Sequence, residues 1–502
     1  MSIITENRFN LIDEPWIPIL GSRPVSLLHI FSHTDCRALG GNPIQKIALT
    51  KLLLAIAHAA YTPKDDEDWA ALGADGLAKK CLDYLSKWHD HFYLYGDQPF
   101  LQVPAIAEAE IKSFGTVMPE ISTGNTTVLT QDQIEKSLTD ADKVLLIVQL
   151  VGFGLGGKKT DNSVILSPGY QGKYNEKGKP STAKPSASLG FLGFLHSFLH
   201  GSNIQQSLWL NILTKQQVID LGVYPLGVGV APWEHMPVGE ACPLAENLKL
   251  SLMGRLVPIS RFCLLAEAGL HYSDGIMHAG YKEGAIDPSV SVNFSGKEVK
   301  AIWSDPGKRP WRLLTSLLSF YSLAKTGGFD CPQLRLGLPR AINQMAKIGI
   351  WSGGLKVSNN AGEQFVSGSD DYVESVVYLE TASLGDLWFD NLNREMEELN
   401  GLSKMVYSAT LHYFKAQNSE AKDRSSQATT LFWQLCERNF TQLINACDPS
   451  KEVGLLRPIF AKFVNKSYDT YCARDTARQI DSWSKNRPNL SKYLPNMNKD
   501  AV

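Results

Sequence analysis

The segment Gly152–Lys159, GFGLGGKK, comes within one residue of a phosphate-binding P-loop. That pattern needs a glycine, four residues, Gly-Lys, and then a serine or threonine whose hydroxyl binds magnesium. Here Lys159 stands at the hydroxyl position, and Thr160 comes one residue late. A P-loop also opens directly into a helix whose amides hold phosphate, whereas the residues that follow here have no helical pattern. We therefore expect this segment to be inert.

Two histidine pairs have spacings that could hold a metal ion. HSFLH, His196–His200, sets two histidines at i and i+4 on a predicted helix, but Ser197 stands where a zinc protease needs a glutamate as general base. HDH, His89–His91, has no accompanying cluster of carboxylates and histidines. The sequence therefore predicts no metal, no cofactor and no catalytic residues.

The cysteines are scattered and form no Cys-x-x-Cys pair, so no zinc knuckle can be built from them. We expect reduced thiols that are mostly buried. The eight positions are Cys36, Cys81, Cys242, Cys263, Cys331, Cys436, Cys447 and Cys472.

The elements that must position any site belong to a chain of 502 residues, which is long enough for two or three domains. With 49 basic and 51 acidic residues the formal net charge is −2, which excludes a uniformly basic nucleic-acid binder but allows a basic stripe. The N-terminus lacks the pattern of a signal peptide, and the most apolar run is shorter than the roughly 20 residues of a membrane helix. These features predict a soluble, cytoplasmic protein.

The composition and hydrophobic pattern of the sequence change twice along the chain. Residues 1 to about 160 include helical patterns such as IQKIALTKLLLAIAHAAY, and glycine- and proline-rich loops with strand-like runs follow to about 378. From about 380 onward the pattern is that of long amphipathic helices, with Pro449 in a connection and Pro458 in a first helical turn. This predicts an α+β fold with a large mixed α/β N-terminal domain, 1–378, and a C-terminal four-helix bundle, 379–502.

Two segments of the middle region are candidates for binding. GLKVSNNAGEQFVSG places Asn-Asn-Ala-Gly between alternating runs, which predicts a hairpin with a four- or five-residue loop. The stretch 163–188 begins apolar and continues for about twenty residues rich in glycine, proline, serine and lysine, which is unusual inside a compact region.

Five motifs in order give the chain a resemblance to the CasA family, the large subunit of the type I-E CRISPR Cascade complex. The resemblance spans essentially the whole chain. The motifs are FNLIDEPWIPIL at 9–20, FYLYGDQPFLQVP at 92–104, HGSNIQQSLWLNILT at 200–214, DGIMHAGYKEGAIDPSVSV at 274–292 and DPGKRPWRLL at 305–314.

The resemblance implies a function in antiviral defence rather than catalysis. Subunits of this family lie beside the 5′ handle of the crRNA and contact other Cascade subunits. They recognise the protospacer-adjacent motif (PAM) in double-stranded DNA, help to start the R-loop and recruit the helicase-nuclease. Two alternatives remain: an architectural subunit that reads no DNA, and an enzyme that binds nucleotide through Gly152–Lys159.

The resemblance also implies DNA-binding residues. In the family a glycine loop meets the minor groove, and Gly172 in PGYQGKY falls on the glycine that touches DNA, where a side chain would hold the backbone away. Lys173 would then attract phosphate. Gln364 matches the family's wedge residue beneath the first base pair, with Asn359 or Asn360 as the alternative. The implied DNA-binding set is Gly169, Gln171, Gly172, Lys173, Asn359, Asn360 and Gln364.

The contact with the crRNA handle is implied for STGNTTVLTQDQ, 122–133. Leu129 stands where relatives can have an aromatic residue, so stacking on a base is lost and hydrogen bonds remain. Their sources would be Asn125, Thr130 and Gln131. The family's basic PAM-reading residue is replaced by Ala268, with Lys282 and Arg261 nearby in sequence as possible substitutes.

Overall fold

The computed structural model describes residues 6–118, 137–157, 159–170, 172–174, 193–321, 328–360, 363–366, 369–452 and 454–494. The chain divides into two compact units. The first comprises 1–311 and 328–376, and the second comprises 312–327 and 377–502. The second unit thus includes a stretch beginning at Arg312 that the predicted domains, 1–378 and 379–502, assign to the first.

The helices of the first unit are mostly short, with two long exceptions near the N-terminus. The longest segments are α2 (Pro43–Ala60) and α3 (Asp66–Lys87), and α3 is kinked at Gly73, where φ is 62°. Helix α2 has Asn42 and Gln45 in a reciprocal capping box and Pro43 in its first turn. The helix predicted from IQKIALTKLLLAIAHAAY is confirmed, and its buried leucines and isoleucines form much of this unit's core. These helices are α1 (Leu27–Ser32), α2 (Pro43–Ala60), α3 (Asp66–Lys87), α4 (Phe114–Val117), α5 (Asp140–Leu150), α6 (Ile204–Asn211), α7 (Lys215–Asp220), α8 (Pro243–Lys249) and α9 (Met253–Leu256), with α11 (Pro332–Ile342) later in the chain.

The strands form small sheets rather than one large sheet. The orders are β1-β2, β13-β10-β4, β11-β12, β3-β6-β5 and β8-β7-β9. Their bounds are β1 (Arg8–Asn10), β2 (Tyr93–Tyr95), β3 (Ile111–Lys112), β4 (His196–His200), β5 (Arg261–Ala266), β6 (Gly269–Asp274), β7 (Val292–Asn293), β8 (Lys300–Ala301), β9 (Phe329–Asp330), β10 (Lys347–Leu355), β11 (Ser358–Asn360), β12 (Glu363–Phe365) and β13 (Tyr372–Glu380).

The helix predicted over HSFLH is wrong, because these residues form the strand β4. The strand pairs antiparallel with β10 and places Phe198 opposite Trp351. A short apolar run fits a buried strand as well as a buried helix, and here the pairing with β10 decides. Since a strand rises about 3.3 Å per residue, the backbone positions of His196 and His200 lie roughly 13 Å apart. The pair therefore does not have the helical spacing of a metal site.

The second unit is helical, as its sequence pattern predicts. The helices α12, α13 and α15 pack against one another, and Trp388, Val406 and Phe432 are buried there. Pro458 lies in the first turn of α15 and Pro449 in the preceding connection, which confirms both predictions. The helices of this unit are α10 (Leu314–Leu317), α12 (Asp386–Ala416), α13 (Lys422–Glu437), α14 (Phe440–Ala446), α15 (Arg457–Tyr471) and α16 (Ala477–Lys485).

The chemistry of the cysteines agrees with the prediction. All eight are free thiols, and each is buried except Cys242, which is half-buried. Within the described ranges, no helix combines the length and the apolar character needed to cross a membrane.

A buried ion pair between Lys51 and Asp287 joins α2 to the segment before β7. Lys51 Nζ also donates a hydrogen bond of 2.7 Å to the carbonyl oxygen of Arg255. Burial raises the pKa of Asp287, but Lys51, His196 and Ser289 together outweigh burial and keep that pKa below its ordinary value. The carboxylate is therefore charged in the core of the first unit.

We predict that Lys51→Met lowers the free energy of unfolding by about 3–5 kcal/mol, because it leaves a buried carboxylate without its cation. Urea unfolding followed by tryptophan fluorescence measures the change. The exposed Lys79→Met serves as control and should shift stability by less than about 0.5 kcal/mol. Equal effects of the two substitutions would contradict the importance of the buried pair.

Candidate nucleic-acid interface

The segment 164–173, which contains the glycines of PGYQGKY, is organised by one buried carboxylate from elsewhere in the chain. Glu240 is fully buried and accepts hydrogen bonds from the backbone N–H of Leu166 at 3.2 Å and of Ser167 at 2.8 Å. Lys173 Nζ reaches the same carboxylate at 2.8 Å. Both ends of what we call the 164–173 loop are thereby joined at one side chain.

Lys173 does not face solvent, which does not fit its predicted role as a phosphate contact; that role stays a prediction. Its side chain is fully buried, and its ammonium donates further hydrogen bonds of 2.7 Å to the Val164 carbonyl oxygen and to Ser273 Oγ. Burial alone raises the pKa of Glu240, but the hydrogen bond from Lys173, the backbone N–H groups and the lysine charge lower it below its ordinary value. The Glu240 carboxylate is therefore ionised, and its contacts with Lys173 and the backbone N–H groups close the loop.

The exposed tip of the 164–173 loop is Pro168-Gly169. Gly169 has φ +77° with open space around its Cα, and the Tyr170 N–H donates to the Ser167 carbonyl oxygen at 3.1 Å to close the turn. The left-handed backbone explains the glycine there. Gly172 is not in the left-handed region; instead, a Cβ on it would overlap the ring of Tyr170. Gln171 lies outside the described residues.

The second predicted element is a confirmed hairpin, β11–β12, but its connection is shorter than expected. Asn359 pairs with Gln364 and Asn360 with Glu363, which leaves only residues 361–362 between the strands. The four- or five-residue loop is therefore wrong, and both asparagines belong to β11 rather than to the tip. Asparagine is common in turns, so the sequence alone does not separate the two registers.

Gln364 is held by the glycine-rich segment Gly152–Gly157. Its backbone N–H donates to the Gly156 carbonyl oxygen at 3.1 Å, and the Gly156 N–H donates to Gln364 Oε1 at 2.8 Å. The side chain is half-buried. The residue predicted to enter DNA is thus bonded to backbone through both its main chain and its amide oxygen.

The same glycine-rich segment belongs to the near P-loop, and in the described residues it does not have the loop-to-helix structure of a P-loop. No helix begins in the described residues that follow it up to position 170. A Cβ on Gly154 would lie 2.6 Å from Tyr272 Oη and 2.7 Å from Arg261 Nε, so close packing requires this glycine. The Gly156 amide, which could have met a phosphate, is bonded to Gln364 instead.

The other candidate positions divide between surface and interior. Ala268 lies in the exposed two-residue turn between β5 and β6. Arg261 is buried and pairs with Asp274 at 2.8 Å, so its suggested role as a substitute PAM-reading cation is wrong. Lys282 belongs to the turn Tyr281–Glu283. The predicted crRNA-handle residues lie outside the described part of the chain: Asn125, Leu129, Thr130 and Gln131.

Among the described residues, one group of potential metal ligands comes together, formed by His29, Asp35 and Cys36. The distances of 3.2 Å from His29 Nε2 and 3.6 Å from Cys36 Sγ to Asp35 Oδ1 are those of hydrogen bonds. Burial and the neighbouring Asp35 raise the pKa of Cys36 to about 11, so its thiol is protonated at neutral pH. The arrangement is explained without a metal ion.

Three histidines of the HSFLH and HDH segments also have protein partners. His196 Nδ1 lies 2.9 Å from Ser289 Oγ, and burial lowers its pKa to about 3. His89 Nε2 lies 2.8 Å from Asp13, and His91 Nδ1 lies 2.8 Å from the Trp233 carbonyl oxygen. These contacts are structural, and they do not form a catalytic arrangement.

Sequence reasoning missed the buried groups that hold the candidate interface together. Glu240, Ser273 and Asp274 are far from the glycine loops in sequence. Asp274 begins the motif at 274–292, but no motif marks Glu240 or Ser273. A weak signal was available in Glu240, a lone carboxylate in the mostly apolar run MPVGEACPLA. Its partner could not be named without the fold.

Comparison with known proteins now decides the family. The family model described as CRISPR-associated protein Cse1 matches residues 10–470. The chain belongs to the CasA/Cse1 family. The resemblance predicted from the five sequence motifs is therefore confirmed.

The relatives differ in how much of the chain they cover. The CRISPR-associated protein CasA/Cse1 of Thermus thermophilus is 34% identical over 340 residues, which is 59% of this chain and 59% of that protein. The crystal structure of CasA from the same species matches with a TM-score of 0.73 and 18% identity over 98% of this chain and 100% of that one. Thermobifida fusca Cse1 gives a TM-score of 0.73 and 19% identity over 97% and 98%.

A further solved structure, titled "CRISPR RNA-guided surveillance complex", contains a chain similar to this one. The TM-score is 0.67 at 14% identity, covering 95% of this chain and 98% of that one. At such identities the solved structures establish that the Cse1 fold is shared across both units.

We predict that Lys173→Met destabilises the first unit by about 3–5 kcal/mol, because Glu240 is left buried and unpaired. Adding Glu240→Leu should recover much of this loss, since two apolar groups replace two charges. Guanidinium unfolding of the single and double variants gives the coupling energy. A double variant that loses the sum of the single losses would contradict the pairing.

The same pair predicts a pH dependence. Since the folded-state pKa of Glu240 is lowered, its stabilisation is present above the unfolded glutamate pKa of about 4.3 and is lost as pH falls through the folded value. The stability difference between wild type and Lys173→Met should therefore shrink on acidification, because a neutral carboxyl group no longer needs the lysine. A constant difference between about pH 7 and pH 3, a range that includes the unfolded glutamate pKa of about 4.3, would show that Glu240 does not titrate as a partner of Lys173.

Proposed function

We propose that this CasA/Cse1 chain is the large subunit of a type I-E Cascade complex, that it recognises the PAM in double-stranded DNA, and that it helps to start the R-loop. The observation that carries the proposal is the exposed turn at Gly169, whose loop is closed by the buried Lys173–Glu240 pair. The hairpin that bears Gln364 is held by the adjoining segment Gly152–Gly157. Membership of the family and the likeness to a chain of an RNA-guided surveillance complex support it.

Recognition by this loop would use backbone rather than long side chains. The Gly169 turn is exposed and carries no side chain, so its peptide groups can approach the floor of a groove. The minor groove mainly distinguishes A·T from G·C pairs. A loop that reads it in this way should therefore accept several PAM sequences.

Strand separation would use Gln364 as a wedge below the first base pair. Opening that pair opposes a stacking free energy of about 1.4 kcal/mol. The amide oxygen must also leave the Gly156 N–H, and a neutral hydrogen bond contributes only about 0.5–1.5 kcal/mol net. Both costs are small beside the free energy available from a DNA interface. Asn359, paired directly with Gln364, is the next candidate.

The remaining partners follow from the family. We assign contacts with the crRNA handle to Asn125, Leu129, Thr130 and Gln131, and we expect recruitment of the helicase-nuclease without catalysis by this chain. The complex would act in the cytoplasm, where the crRNA and the target DNA meet.

An architectural subunit that reads no DNA is the second candidate, and one observation favours it. Lys173 and Arg261, two cations considered for the DNA interface, are both buried in ion pairs. DNA binding by the complete complex that does not depend on the PAM would support this alternative.

We predict that Gly172→Asp abolishes PAM-dependent DNA binding while the subunit stays in the complex. The new Cβ must displace the Tyr170 ring, and the carboxylate would face the negative potential of the groove. Gly172→Ala should also impair discrimination, since it meets the same ring, but without the charge. Titration of PAM and non-PAM duplexes with the reconstituted complex measures both effects.

The matched control for that test is Gly296→Asp, an identical change at an exposed glycine where an added Cβ would meet nothing closer than 3.8 Å. This variant should bind both duplexes as wild type does. If Gly172→Asp keeps wild-type discrimination, the 164–173 loop is a surface connection and not a PAM reader.

We further predict that Gln364→Ala slows R-loop formation on fully paired linear targets and spares targets whose PAM-proximal pairs are already mismatched, because opened DNA needs no wedge. Permanganate footprinting of the displaced strand follows the reaction. The exposed Gln344→Ala is the control and should resemble wild type. If both targets are affected equally, Gln364 acts in binding or folding rather than in strand opening, and Asn359 and Asn360 become the candidates.

A further inference from the structure

The base of the β5–β6 hairpin lies between the two elements assigned to DNA. Arg261 begins β5, Asp274 ends β6, and the two residues are cross-strand partners. Their side chains form a buried ion pair, with Arg261 Nη1 at 2.8 Å from Asp274 Oδ1. The Arg261 side chain is only 1% exposed, and that of Asp274 is 6% exposed.

Arg261 connects this pair to the β11–β12 hairpin. Its Nη2 donates to the Leu155 carbonyl oxygen at 3.3 Å, and Gly154 packs so closely on its Nε that no Cβ would fit. The next residue, Gly156, exchanges two hydrogen bonds with Gln364. The path from the arginine to the predicted wedge therefore passes through one short run of backbone.

Asp274 connects the same pair to the 164–173 loop. Its carboxylate accepts from Asn162 Nδ2 at 3.0 Å, and its backbone N–H donates to Asn162 Oδ1 at 3.2 Å, just before the loop begins. The preceding residue, Ser273, accepts from Lys173 Nζ at 2.7 Å at the end of the loop. Asn162, two residues before the loop, and Lys173, at its end, are thus attached to the last two residues of β6.

We propose that Arg261 and Asp274 are positioning residues that hold the 164–173 loop and the β11–β12 hairpin in one fixed relative placement, so that both engage the same duplex. The proposal rests on the proposed function, because it assigns both elements to DNA. A buried polar centre with several directed hydrogen bonds suits this role, because those bonds have defined directions, whereas apolar packing tolerates small rearrangements. Neither residue would touch DNA.

The test replaces the pair by apolar residues of similar size, Arg261→Met with Asp274→Leu, so that no single buried charge is left. The control is Lys51→Met with Asp287→Leu, which removes another buried ion pair of the same unit that contacts neither element. Full-length chains are first compared by hydrogen exchange at the Gly156, Ser167 and Gln364 amides. We expect exchange at all three to accelerate together in the Arg261/Asp274 variant and to stay near wild type in the control.

The second measurement is the ratio of affinities of the reconstituted complex for PAM and non-PAM duplexes. In the Arg261/Asp274 variant this ratio should fall by about tenfold, which corresponds to about 1.4 kcal/mol, while the control variant keeps it. Adding Gln364→Ala should then slow R-loop formation little further, since the hairpin is already misplaced. An additive loss, an unchanged ratio, or faster exchange in only one element would overturn the proposal.

A conservative variant covers the case in which the apolar pair does not fold. Arg261→Lys keeps the charge near Asp274 but removes the planar group that also reaches Leu155. It should therefore accelerate hydrogen exchange at the Gly156 and Gln364 amides more than at the Ser167 amide. It should also partly reduce the ratio of affinities for PAM and non-PAM duplexes. Equally accelerated exchange at all three amides would contradict the inference that Arg261 holds the β11–β12 hairpin while Asp274 holds the 164–173 loop. If the wild-type complex itself shows no PAM preference, the proposed function fails, and the exchange data alone decide the positioning role.

Discussion

The ion pair between Lys173 and Glu240 is the interaction on which the candidate interface depends. A carboxylate without solvent is tolerated only when its oxygens are fully bonded, and here one ammonium and the Leu166 and Ser167 N–H groups supply the donors. These donors come from both ends of one loop, so satisfying the charge also fixes the loop backbone. The exposed turn at Gly169 can therefore keep a defined shape although its own residues make few contacts.

Three different physical reasons explain why glycine occupies positions in and near the candidate interface. Gly169 supplies a left-handed backbone, Gly172 makes room for a tyrosine ring, and Gly154 allows backbone to pack on Arg261 and Tyr272. A fourth, Gly156, offers its peptide group to Gln364. In the sequence the last two look like part of a nucleotide site, but in the fold they connect a buried arginine to a hairpin. The glycine-rich spacing therefore correctly indicated that another group lies close to this backbone. That group is not a nucleotide but the side chains of Arg261 and Gln364.

The sequence was sufficient where local periodicity or capping determines the structure. The pattern and caps of α2, the long helices after residue 386 and the proline positions are all local features. The sequence was insufficient where a partner distant in sequence determines the structure. Residues His196–His200 form the strand β4 because they pair with β10. Lys173 is buried because it pairs with Glu240, a residue 67 positions away. The family resemblance located the loop and the hairpin, but it could not reveal that a cation in the motif faces inward.

Lys173 and Arg261 are both buried. In the proposed function, affinity for DNA and discrimination between PAM sequences would therefore come from different groups. Phosphate contacts supply binding that depends steeply on salt and little on sequence, whereas backbone contacts in a groove depend on shape and hydrogen-bond pattern. The described part of the 164–173 loop presents a glycine turn rather than a charged side chain at its tip. Its contribution to recognition would then be nearly independent of ionic strength, because few counterions are released. Lys173 acts from inside, by fixing the backbone that does the reading, and affinity for phosphate would come from positions outside this loop.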